Sequence, residues 1–134
     1  MIFYRLNRIP VKRRARVTKS GHAYTDEKTK ADLQAVKDAY TGKCYKCPVE
    51  VVVIVYKDVP KTTPKSVLHE PFTQRPDIDN ILKAVLDGLN GVAYEDDSQV
   101  VRVTCRKMER MRGAGEYCKF TVFPARYCDG TNKY

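Results

Sequence analysis

Two aspartate pairs and a lysine stand out in residues 74–103, QRPDIDNILKAVLDGLNGVAYEDDSQVVRV. Asp77 and Asp79 open a helical segment, Asp96 and Asp97 follow its end, and Lys83 projects from its early turns. Carboxylates gathered at one place repel, and one is driven towards protonation unless a cation sits between them. A hard divalent ion with oxygen ligands, Mg²⁺ or Mn²⁺, suits such a group. Ions of this kind orient a phosphate, activate water and stabilise a leaving oxygen in phosphodiester hydrolysis. Lys83 adds a positive charge for the scissile phosphate. Each feature taken singly also has a plainer use. Aspartates cap helices and complement their dipole, an acidic pair before a strand is often a solvated loop, and Asp79 with Lys83 has ordinary i, i+4 ion-pair spacing.

The elements that must position these groups are legible around them. Ile78, Ile81, Leu82, Val85, Leu86 and Leu89 form an unbroken helical apolar stripe. Pro76 precedes it, Asp77 suits the N-cap, and Asn90-Gly91 suits the C-terminus. Asp79, Lys83 and Asp87 make a polar stripe on another face. In regular helix, residues two apart point roughly 200° away from each other. A non-helical Asp77 at the cap can instead turn its carboxylate towards Asp79. Residues 98–107, rich in valine, read as a strand. The short connection before it is expected to bring Asp96 and Asp97 back towards the helix start. An EF-hand is excluded, because Ile81-Leu82 stand where that loop needs an oxygen ligand and a glycine.

The run P-D-I-D-N-I-L-K-A-V-L-D-G-L-N-G-V-A-Y-E-D-D-S-Q-V resembles the signature of the RusA family of Holliday junction resolvases. These are small dimeric endodeoxyribonucleases, frequent in prophages. Asp77, Asp79, Asn80, Lys83, Asp87, Asp96, Asp97, Gln99 and Val100 carry the likeness. The resemblance implies that Asp77, Asp79 and Asp97 are acidic metal-site residues, that Asp96 supports them, and that Lys83 is the essential lysine. It implies a Mg²⁺-dependent nuclease, with Mn²⁺ as a substitute, acting on four-way DNA junctions in recombination and repair. The cysteine-rich features and the tail after Phe123 do not match the family pattern.

Composition agrees with a polyanionic partner. The 134 residues bound a single domain, 43% hydrophobic and 31% charged, with 25 Lys and Arg against 16 acids, a net charge of +9. Residues 1–10 are too short and mixed for an export signal, and no apolar run is long enough to span a membrane. Five cysteines, an odd number, then fit reduced thiols in a cytoplasm. Residues 12–19, KRRARVTK, supply Lys12, Arg13, Arg14, Arg16 and Lys19 as expected phosphate contacts, with Arg75 beside the carboxylates.

Along the chain, residues 2–10 read as a first strand, residues 25–40 as a helix capped by Thr25, and residues 49–57, VEVVVIVYK, as a central strand buried on both faces. Residues 58–76 contain four prolines and read as a long loop into the site. Phe72 there either packs on the core or wedges into an opened base step. Cys44 and Cys47 form a C-x-x-C, but no second such pair or well-spaced histidines support zinc. Residues 116–123 are expected to pair antiparallel with residues 98–107, with Arg106, Lys107, Arg110 and Arg112 as a second basic cluster near the hairpin tip. Residues 125–134 show little pattern and are expected to fray. The sum is an α+β fold, a mixed sheet with two main helices packed on it. A two-fold homodimer suits an enzyme making two symmetric cuts. The alternatives are a non-catalytic basic DNA-binding protein, or a metal nuclease for another branched or RNA substrate.

Overall fold

The valine-rich run in the middle of the chain becomes the strand on which everything else is laid. The structure is a computed structural model describing residues 2–125. Its strands are β1 (Tyr4–Leu6), β2 (Arg16–Val17), β3 (Ala23–Tyr24), β4 (Val49–Tyr56), β5 (His69–Glu70), β6 (Val100–Lys107), β7 (Arg110–Met111) and β8 (Tyr117–Pro124). Its helices are α1 (Glu27–Ala39) and α2 (Ile78–Leu89), with a 3-10 turn at Asp97–Gln99. The main sheet has the order β1-β8-β4-β6, and two small ribbons, β2-β3 and β5-β7, stand outside it. This is the expected α+β fold with a mixed sheet and two helices.

β4 presents Val49, Val51, Val53 and Val55 to the helices with no exposure at all. Burying each contributes about 1.5 kcal/mol or more. The alternate residues Glu50, Val52, Ile54 and Tyr56 are only half-buried. The expected burial on both faces is therefore corrected: both helices lie on one side of the sheet. A second correction concerns pairing. β8 is antiparallel to β4 and β1, and not paired with β6 as expected. β6 runs parallel to β4, from Val49↔Val100 to Val55↔Lys107. A parallel neighbour needs a long crossover, and α2 supplies it. The most apolar strand thus takes the centre, and the chain after β6 must pass over β4 to reach β8.

α2 buries Ile81, Ala84, Val85 and Leu89 completely. Ile78, predicted in the same stripe, is 43% exposed at the helix start. Asn90 is the C-cap, and Gly91 follows at φ +85°, the left-handed conformation expected there. Tyr94 is buried and donates its hydroxyl to the Leu86 carbonyl at 2.7 Å. α1 begins after Asp26 rather than Thr25 and buries Thr29, Asp32 and Val36. The long loop is tied to the β7 region. Arg112 donates to the carbonyls of Val67 (2.9 Å) and Pro64 (2.8 Å), and His69 Nδ1 lies 2.6 Å from Glu109. The expected flexible connection at residues 111–115 and the proline-rich loop thus form one two-stranded flap. Of the tail expected to fray, Ala125 is buried and donates its N–H to the Pro48 carbonyl; residues 126–134 lie outside the described residues.

Candidate active site

At the start of α2, Asp77 has φ −71° and ψ 146°, an extended N-cap whose side chain makes no capping hydrogen bond. Asp79 follows in the first helical turn. Asp77 lies outside the helical repeat, as its position before the stripe predicted, and Asp77 and Asp79 both line one cavity. The cavity has a volume of about 950 Å³. Asp77, Asp79, Asn80 and Lys83 form one wall, and Lys12, Arg13, Arg14 and Arg75 form the rest of its polar lining. Asp77, Asp79 and Lys83 are all exposed. Among the described residues their side chains make no hydrogen bond or ion pair, so the Asp79–Lys83 pair that the spacing allows is not formed. The helix N-terminus favours negative charge at this point. Two unengaged carboxylates in a cationic cavity offer the hard oxygen donors that Mg²⁺ or Mn²⁺ requires.

The basic run is fixed rather than loose. Val11 N–H donates to Asp32 Oδ2 at 3.1 Å, and Arg13 N–H to Thr29 Oγ1 at 3.1 Å. Lys12 N–H donates to the Asn80 carbonyl at 2.9 Å. These bonds pin the run to both helices and set it along the cavity. Several predicted phosphate contacts turn out to have carboxylate partners. Lys12 pairs with Asp87 at 2.5 Å, Arg13 with Asp32 at 3.0 Å, and Arg16 with Asp26 at 3.6 Å. Arg8 pairs with Asp32 as well. Arg14, Lys19 and Arg75 have no acidic partner among the described residues. Arg16 and Lys19 lie at the β2-β3 ribbon, outside the cavity lining. The Lys12–Asp87 pair is over a third exposed on both sides, so it holds Lys12 only weakly.

Asp96 and Asp97 are not carried to this cavity. The expectation that the short connection returns them to the helix start fails because β6 begins where α2 ends. Asp97 opens the 3-10 turn three residues after Tyr94, whose hydroxyl is at Leu86, while Lys107 at the other end of β6 reaches Pro76. The length of α2, about 18 Å for its twelve residues, separates the two acidic pairs. Asp96 caps the 3-10 turn by accepting from Ser98 N–H; the Ser98 hydroxyl first, and this N–H second, lower its carboxyl below the usual aspartate range. Gln99 closes the reciprocal half of this box, and its amide donates to the carbonyls of Tyr45 and Cys47 at 2.9 Å each. Among the described residues, no three His, Cys, Asp or Glu side chains stand together as a metal site.

Phe72 is 7% exposed and belongs to the core, which removes the wedge. Lys107 stands 4.1 Å, Arg110 5.0 Å and Lys57 5.8 Å from its ring centre. The second basic cluster is therefore largely engaged within the protein. Arg110 is buried against Glu70, Lys107 is half-buried, exposed Arg112 ties the flap, and Arg106 is exposed. Burial holds the Lys107 ammonium below the usual lysine range, although the Asp77 charge opposes this. Cys44, Cys47, Cys105 and Cys118 are free thiols; Cys128 lies outside the described residues. Burial pushes Cys105, which lies beside the Ile78 carbonyl, up to about 11 and Cys118 up to about 12.

Thr29 and Asp32 escaped the sequence reading, and Lys107 was read only as one cation of the second basic cluster. The first two had a signal: they are polar residues at i and i+3 of the face that also carries Val36. Nothing local marks Lys107, whose partners lie more than thirty positions away.

A family model described as endodeoxyribonuclease RusA matches residues 8–115, a span that takes in the basic run, both helices, β4 and β6. Among curated proteins, the chain is 41% identical over 69 residues to the uncharacterized protein YqaN of Bacillus subtilis (strain 168). That match covers 45% of this chain and 48% of YqaN, so the chain spans about half the length of this curated relative.

Proposed function

Because the chain belongs to the RusA family of endodeoxyribonucleases, we propose that it resolves four-way DNA junctions by paired symmetric nicks, using Mg²⁺ or Mn²⁺, in recombination and repair. The observation that supports this reading most is the unengaged Asp77–Asp79 pair facing Lys83 inside a cavity rimmed by Arg14 and Arg75. Asp77 and Asp79 would hold the cation. When bound, it supplies Lewis-acid activation of water and neutralises charge on the phosphate. Lys83 contributes a second positive charge to the phosphate as it becomes more negative. Arg14, Arg75 and a released Lys12 hold the flanking phosphates, which sets register without reading sequence. No helix among the described residues is long and apolar enough to cross a membrane. A bacterial or phage-infected cytoplasm is the compartment that fits the DNA substrate and the free thiols.

Two symmetric cuts call for two sites, hence a homodimer. Among the described residues β6 is an edge of the main sheet, and Val101 (56% exposed) and Val103 (40%) lie on it. Two such edges pairing about a two-fold axis run antiparallel. The Asp97 end of one strand then lies beside the Lys107 end of the other, near the partner's α2 start. In this arrangement Asp97, with Asp96 behind it, completes the carboxylate set of the opposite subunit.

The test is cleavage of a synthetic four-way junction with Mg²⁺ or Mn²⁺, beside a linear duplex and the Asp79→Asn variant. Paired nicks on the junction alone, absent in the variant, are expected. Binding without cutting under every metal condition would leave a DNA-binding protein whose aspartates are only caps. Equal cutting of linear DNA or of RNA would point to another nuclease substrate.

A further inference from the structure

The segment that delivers Asp77 to the cavity has little to hold it. Among the described residues, the backbone of residues 71–76 takes part in two hydrogen bonds, and both come from one side chain. Lys107 Nζ donates to the Gln74 carbonyl at 2.7 Å and to the Pro76 carbonyl at 2.9 Å. Its third direction is occupied by the Phe72 ring, 4.1 Å away. The two other cations at that ring have acidic partners: Lys57 with Glu116 at 3.9 Å and Arg110 with Glu70 at 3.4 Å. Lys107 has no carboxylate within ion-pair distance among the described residues, and the acid whose charge it feels is Asp77. With all three donor directions engaged, its ammonium is not free to grip a phosphate.

We propose that Lys107 is a positioning residue. By clamping the carbonyls of Gln74 and Pro76 against the Phe72 ring, it fixes the peptide from which Asp77 enters the metal site. This rests on the reading of Asp77 as a metal ligand. Lys107 acts on the metal through Asp77, so its removal should cost metal affinity rather than the fold. Groups that orient metal ligands typically alter metal affinity or activity by about tenfold to a hundredfold.

The experiment compares wild type, Lys107→Met, Lys107→Arg, Asp77→Asn and the Asp77→Asn/Lys107→Met double variant. Mn²⁺ affinity is measured by electron paramagnetic resonance, junction affinity in Ca²⁺ by gel shift, and folding by thermal melting. Lys107→Met keeps the aliphatic stem on Phe72. It is expected to weaken Mn²⁺ binding about tenfold or more and to raise the Mg²⁺ concentration for half-maximal cleavage in parallel, with junction affinity changed less than about threefold. Lys107→Arg, which retains charge and donors, should recover most of the loss. If Lys107→Met melts too low to assay, Lys107→Gln takes its place, alone and in the Asp77→Asn background, and the same outcomes decide. In the Asp77→Asn background, Lys107→Met should add nothing to the Mn²⁺ defect. Unchanged Mn²⁺ binding in Lys107→Met, a parallel loss of junction affinity, failure of arginine to rescue, or full additivity with Asp77→Asn would each overturn the proposal. A wild type that cuts no junction would instead count against the proposed function, whatever the Lys107 variants do.

Discussion

Gly88 of α2 lies so close to Val36 of α1 that a Cβ added to the glycine would stand 2.6 Å from the valine Cβ and 3.1 Å from the Leu33 carbonyl oxygen. The two helices meet backbone to side chain at this point, and a methyl group there forces them apart. Helix propensity alone favours Gly88→Ala by about 1 kcal/mol. Overpacking of this kind costs about 1 to 3 kcal/mol. Gly88→Ala is therefore expected to lower the melting temperature, measured by circular dichroism, and an increase would show that the helix pair yields.

A site shared between subunits has a signature in mixed dimers. Asp79→Asn and Asp97→Asn homodimers are each expected to lose cleavage by on the order of a hundredfold or more. When the two variants are mixed and allowed to exchange, a shared arrangement regenerates one intact site per heterodimer, and single nicks reappear. Sites built within each subunit leave the mixture inactive.

On the proposed function, the cations lining the cavity divide into those left for DNA and those held by carboxylates of the fold. Arg75→Ala is expected to weaken junction binding and reduce the salt slope of the binding constant by about one, with the melting temperature unchanged. Asp32→Ala should instead destabilise the protein by about 2 to 3 kcal/mol, because its carboxylate accepts from Arg8, Arg13 and Val11 N–H inside the fold. Denaturant unfolding together with a salt titration of binding separates the two effects.

Acid should weaken the 3-10 turn before β6. The folded protein holds the Asp96 carboxyl below its ordinary value of 3.8 through Ser98. A lowered folded pKa contributes stability that is fully present above the unfolded value and disappears as pH falls through the folded one. The stability difference between wild type and Asp96→Asn is thus expected to be constant from pH 7 to about 5 and to shrink below about pH 4. A difference that persists at low pH would mean that the cap works without its charge.

Thiol labelling at pH 8, read site by site by mass spectrometry, should modify exposed Cys44 well before Cys105 and Cys118. Burial raises those two to about 11 and about 12, which leaves little thiolate. Rapid labelling of Cys105 would show that α2 lifts from β6 near Ile78.

What could be read in the sequence was local or periodic. The α2 stripe, its cap at Asp77, its stop at Gly91 and the valine run of β4 depend on neighbours a few positions away, and they stand where periodicity placed them. That Asp77 stands outside the helical repeat was legible for the same reason, since one backbone conformation at the cap decides it. Strand pairing was not. Nothing local tells β8 to choose β4 over β6, because that depends on which strand is apolar enough to be central once α2 has made its crossover. The misplacement of Asp96 and Asp97 follows from it. A hairpin between β6 and β8 leaves the direction of β6 relative to α2 open, and the parallel register closes it. The basic run was recognised by its charge, but its division between carboxylates and solvent depends on Asp26, Asp32 and Asp87, which come from both helices.

The anchoring of that run has a thermodynamic consequence. A basic tail free in solution loses its conformational freedom when DNA arrives, at roughly 1 to 2 kcal/mol per residue. Here Thr29, Asp32 and Asn80 already hold residues 11–13, so that loss falls at folding and not at association. A row of cations with fixed spacing rewards only a phosphate path of matching curvature. On the proposed function, rigidity more than the number of charges would then tell a bent or branched duplex from a straight one.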